Sequence, residues 1–80
     1  MSPYGVIDGQ PILSCERIRN WRLIVYRYHG VELVYRAERQ NARGQFVRCS
    51  ADALPDSIAK IGTAMVKKTV DWEAPSRVYR

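Results

Sequence analysis

Eighty residues with a formal net charge of +5 and 46% hydrophobic content describe one small folded domain. A chain of this length has room for one sheet and one or two helices, and little for a deep catalytic cavity. The longest apolar run, Leu23 to Tyr26, is far short of a membrane span, and Met1 to Asp8 lacks the pattern of a secretion signal, so a cytoplasmic protein with no membrane partner is expected.

The charge is unevenly placed. Arg17 and Arg19 balance Asp8 and Glu16 in residues 1–20, whereas residues 21–50 carry six arginines against Glu32 and Glu38, and residues 51–80 sum to +1. Ten of the thirteen basic residues are arginine, the side chain suited to stacking and to fork-like pairing with carboxylate or phosphate. Codon bias toward GC would produce the same skew.

The N-terminal segment, 1–20, reads as short and irregular or helical. Val6-Ile7-Asp8-Gly9-Gln10-Pro11-Ile12-Leu13 suits two short extended pieces around an Asp-Gly turn. Ser14 then caps a single helical turn, Cys15 to Arg19, or the segment extends the first strand of the sheet.

Residues 21–51 read as a three-stranded antiparallel meander. His29-Gly30 between two β-rich runs suits a two-residue turn, which pairs Tyr28 with Val31, Tyr26 with Leu33 and Ile24 with Tyr35 on one face. On the other face Arg27 meets Glu32, Val25 meets Val34 and Leu23 meets Arg36. Asn41 to Gln45 fits a type I turn closed by a left-handed glycine, setting Arg39 opposite Val47, Ala37 opposite Cys49 and Glu38 opposite Arg48. The core face is then Ile24, Tyr26, Val31, Leu33, Tyr35, Val47, Cys49 and Ala51. Trp21 falls on the outer face, either exposed or covered by the N-terminal segment.

A helix is expected over 52–73, capped by Asp52, with Pro55 in its first turn and Asp56 at the positive end of its dipole. Leu54, Ile58, Ile61, Met65 and Trp72 share one side, flanked by Ala59, Gly62, Val66 and Val70; Lys60, Thr63, Ala64 and Lys67 lie opposite. Residues 74–80 form a tail, either disordered or a short strand. The whole is a single α+β domain in which a three-stranded sheet packs on one long C-terminal amphipathic helix.

No constellation for catalysis emerges. On this register Cys49 and His29 stand eight residues of strand apart, about 26 Å, far beyond the reach of a nucleophile and its base. Cys15 is left unplaced relative to His29. Two cysteines with one histidine match no zinc pattern, and the scattered acidic residues hold no metal. A non-enzyme without cofactor is expected, with both cysteines serving as small hydrophobes.

The outer sheet face therefore carries the functional expectation. Apolar residues among charges there fit a solvated face, a face partly covered by residues 4–18, or a binding surface with an arginine rim. The candidate contact residues are Val25, Arg27, Val34, Arg36, Phe46 and Arg48, with Lys60, Lys67 and Lys68 as a secondary basic patch. Because Arg27 and Arg48 each face a glutamate, a protein or ribonucleoprotein partner is favoured over naked nucleic acid. Nucleic-acid binding through the same arginines is the alternative.

The sheet followed by a helix over residues 21–72 resembles double-stranded-RNA-binding domains and the arm-type DNA-binding domains of phage integrases. At the start of the helix, where the RNA-binding family carries lysines, this chain has Leu54-Pro55-Asp56-Ser57; Lys67-Lys68 lie near the other end. In size and architecture alone the chain also resembles small phage-encoded inhibitors of the anti-CRISPR kind. That resemblance implies stoichiometric blocking of a host protein or ribonucleoprotein, such as a CRISPR-Cas complex, without catalysis.

Overall fold

The computed structural model describes residues 5–73, with the side chains of Trp72 and Glu73 excepted. The expectations for Trp72 as core and for the 74–80 tail lie outside the described residues. The chain order is β1 (Val6–Ile7), β2 (Gln10–Pro11), β3 (Ser14–Ile18), β4 (Trp21–Tyr28), β5 (Glu32–Gln40), β6 (Phe46–Arg48), a 3-10 turn (Ala51–Ala53) and α1 (Asp56–Glu73). The fold is α+β. A four-stranded antiparallel sheet, ordered β3-β4-β5-β6, carries the helix on one face, and β1 and β2 form a separate two-stranded ribbon.

The ribbon turns at Asp8 and Gly9, both at positive φ (50° and 78°), as an Asp-Gly hairpin requires. The segment after it is neither a helical turn nor an extension of β4. Ser14–Ile18 forms its own strand, doubling back through Arg19 and Asn20 to pair Cys15 with Ile24 and Ile18 with Trp21. The physical reason is edge protection. A three-stranded meander would leave β4, the most apolar strand, with an unpaired edge; β3 makes it a central strand.

The β4–β5 register differs by one residue from the expected one. His29 and Gly30 do take positive φ (51° and 74°), but Val31 joins them in the loop, so Tyr28 faces Glu32, Val25 faces Tyr35 and Leu23 faces Ala37. A one-residue slip reverses every side chain of β4. Trp21, Leu23 and Val25 thus point toward the helix, where they form the main core with Ala37, Ile58 and Met65, packed by Ile18, Leu33, Tyr35, Cys49, Leu54, Ile61 and Val66. Trp21 is accordingly buried on the helix side, not on the outer face. Val31, expected in the core, is 76% exposed.

Ile24 and Tyr26 point the other way and are also buried. Ile12, arriving from the ribbon, covers them, and Ile7, Cys15 and Val34 complete this second cluster. The second hairpin keeps its expected register: Arg39 faces Val47 and Glu38 faces Arg48, and Cys49 N donates to Ala37 O at 2.9 Å. Gly44 (φ 83°) closes the turn, and the Asn41 side-chain oxygen accepts from the backbone N–H of Arg43 and Gln45 at 2.9 and 3.0 Å.

The helix starts later than Asp52. A residue before proline is driven out of the helical region, and Leu54 is extended (φ −82°, ψ 128°). Asp52 instead lies in the 3-10 turn, and the Pro55 carbonyl accepts the first helical bonds from Ile58 and Ala59. Along α1, Ile58, Gly62 and Met65 are buried while Lys60, Thr63, Ala64 and Lys67 are exposed, as the periodicity predicts. Val70, expected on the flank of the buried side, is 41% exposed.

Candidate functional site

The outer face of the sheet is two surfaces rather than one. The half near the His29 hairpin is apolar (Ile24, Tyr26, Val34) and is covered by Ile12 and the ribbon. The other half is built from arginine. One row crosses all four strands, with Arg17 opposite Arg22, Arg22 opposite Glu38 and Glu38 opposite Arg48. Arg36 stands two residues from Glu38 along β5 and so shares its face.

Glu38 organises this half. It is the buried charged residue of the described chain, 4% exposed, in the strand flanked by β4 and β6. Its Oε1 accepts from Arg22 Nε at 2.7 Å, with Arg22 Nη2 also in contact. Arg36 Nε lies 3.0 Å from Oε2, close enough for ion pairing, yet its N–H is not directed at that oxygen and finds no hydrogen-bond acceptor. The carboxylate thus fixes two guanidiniums whose heads stay partly in water, at 37% and 21% side-chain exposure.

Phe46 brings Arg17 to Arg22. The guanidinium carbons of Arg17 and Arg22 lie 4.7 and 4.6 Å from its ring centroid. Each such contact at an exposed site contributes about 0.5–1 kcal/mol, which acts against the repulsion of adjacent like charges. The patch therefore sets four arginines (17, 22, 36 and 48) against one glutamate, a formal surplus of three positive charges.

Beside the patch a cleft of about 320 Å³ opens under the ribbon. Gly5, Val6, Ile7, Ile12 and Ile24 give it apolar walls, Cys15 lies on one side, and Arg22, Arg36 and Glu38 make its polar wall.

The expected contact residues are thus separated by the fold. Val25 is fully buried beneath the helix. Arg27 lies on the helix side opposite Leu33, and its Nη1 donates to Val31 O at 3.1 Å, whereas Glu32 stands opposite Tyr28. Val34 is half-buried in the covered cluster. Arg36, Phe46 and Arg48 do share the open half of the outer face. Lys60 and Lys67 flank a shallow groove of about 400 Å³ on the exposed side of α1, floored by Ala59 and Ala64, with Lys68 exposed nearby. Arg17, Arg22 and the central role of Glu38 are not among the expected contact residues; they come together only through the pairing of β3 with β4 and of β4 with β5.

The cysteines lie on opposite faces, Cys15 in the outer cluster and Cys49 against the helix-side core. Cys15 faces Ile24, five residues of strand from His29, or about 17 Å, and Cys49 lies beside Ala37. Neither has the histidine within bonding reach. Among the described residues no helix is long and apolar enough to cross a membrane. No protein-family model matches the chain, and neither a curated protein nor a solved structure matches it.

Proposed function

We propose that the protein is a non-enzymatic binding module that engages the phosphate backbone of a nucleic acid through Arg17, Arg22, Arg36 and Arg48. The observation that carries this reading is the count on the open half-face, four arginines around a single buried carboxylate. The apolar ground for preferring a protein partner there falls away, and of the two facing Arg–Glu pairs Glu38–Arg48 alone keeps its register. Leu23 and Val25, the apolar centre of such an interface, are core residues, and Arg27 stands opposite Leu33 rather than Glu32. Glu38 is turned inward onto Arg22 and Arg36, which leaves guanidinium edges for phosphate oxygens.

Direct titration of fluorescent DNA and RNA oligonucleotides across a salt series tests the reading. Expected is binding that weakens steeply with salt and is lost in an Arg17→Glu/Arg48→Glu double variant, both positions being exposed. Binding unchanged in that variant sinks it.

Docking on a ribonucleoprotein is the second reading, including stoichiometric inhibition of a CRISPR-Cas complex. The feature in its favour is an exposed apolar hairpin tip, Tyr28 at 48% and Val31 at 76%, which adds a protein contact to the phosphate contacts. Nuclease-resistant capture of a defined protein complex, lost on Val31→Asp, supports it over nucleic acid alone.

A further inference from the structure

We infer that the cleft beside the arginine row seats an unstacked base, so that the nucleic acid taken by this protein is single-stranded. This inference rests on the phosphate-binding reading above and adds a ligand class to it. Cleft and patch share Arg22, Arg36 and Glu38, so a strand whose phosphates lie on the row brings a sugar and base to the cleft mouth.

The size and chemistry of the cleft fit a base. Its 320 Å³ is at the small end of ligand sites, room for a ring system and not for an elongated ligand. Ile7, with the edges of Ile12 and Ile24, gives the cleft an apolar side, while the guanidiniums of Arg22 and Arg36 give it donors for ring edges. Arg36 Nε finds no aligned acceptor and is itself sealed from solvent, so hydrogen bonds to a base fall to the exposed parts of the Arg22 and Arg36 guanidiniums. Stacking elsewhere on this end of the face is closed off, because Phe46 already carries the guanidiniums of Arg17 and Arg22. A duplex offers the row its phosphates but keeps its bases stacked and out of reach of the cleft.

The test compares three probes of equal length at one ionic strength: a single strand, the same strand with abasic sites throughout, and a duplex. The intact strand is expected to bind roughly five-fold or more tighter than the abasic strand, comparable to the low end for one base stacked on an aromatic ring. Alkylating Cys15 in a Cys49→Ala background fills the cleft wall. It is expected to remove the advantage of the intact strand and to leave the abasic affinity unchanged. Equal affinity for intact and abasic strands, both salt-sensitive, overturns the cleft inference and leaves the phosphate reading standing. Absence of binding to all three probes overturns both.

Discussion

Glu38 makes a prediction that runs against simple charge counting. Removing a carboxylate from a basic patch ordinarily strengthens its hold on phosphate. Here the carboxylate fixes Arg22 and Arg36, so Glu38→Gln is expected to weaken oligonucleotide binding although it raises the net charge. Glu32→Gln, an exposed carboxylate at the other end of the same face, serves as the control and should leave affinity equal or slightly higher. Tighter binding by Glu38→Gln would show that Glu38 only opposes the ligand. Glu38→Ala should also cost about 2–3 kcal/mol of stability, less than a fully buried pair because both guanidiniums still reach water. Gly62 makes the second residue-scale prediction. A Cβ there would overlap the Tyr35 ring, whose Cγ would lie 2.8 Å away. Alanine gains about 1 kcal/mol of helix propensity, while overpacking a ring that cannot swing clear costs about 1–3 kcal/mol. Gly62→Ala is therefore expected to lower the melting temperature, and a rise would mean that helix and sheet separate freely.

At the scale of elements, β4 decides the architecture, and both its faces are core. Leu23→Ala and Ile24→Ala should each cost about 2–5 kcal/mol in denaturant unfolding; a strand buried on one face would make only one of them costly. This two-sided burial also limits what the sequence can convey. Leu23-Ile24-Val25-Tyr26 is apolar at both parities, so alternation cannot choose its register, whereas Val47-Arg48-Cys49 alternates and its register is legible. The Asp-Gly and Asn41–Gly44 turns and the exposed helix side could be read for similarly local reasons. The β3 strand could not: Ser14-Cys15-Glu16-Arg17-Ile18 has little strand character of its own and is held by pairing with β4. The arginine half-site was hidden with it, because Arg17 comes from β3 and Arg22 shares the face only once the β4 register is known. The sheet between the cysteines yields a further expectation. Mild oxidation should produce no intramolecular Cys15–Cys49 disulfide, and a monomer two mass units lighter with that linkage would contradict the fold.

For the molecule as a whole, the question is which of two basic surfaces meets the ligand. Lys60, Lys67 and Lys68 lie on the helix, on the opposite side of the domain from the arginine row, so one short strand cannot lie on both without wrapping an edge. Salt dependence separates them. Each phosphate neutralised on a single strand contributes about −0.7 to the slope of log affinity against log salt, so four arginines give roughly −3. Arg48→Gln should make that slope shallower by about one contact. Lys60→Gln/Lys67→Gln/Lys68→Gln changes the net charge three times as much and should barely alter the slope, because those lysines stand beyond a Debye length of about 8 Å from a strand on the other face. A larger change from the lysine variant than from Arg48→Gln would move the nucleic-acid surface to the helix, and the arginine row would then be a device for tying the four strands together.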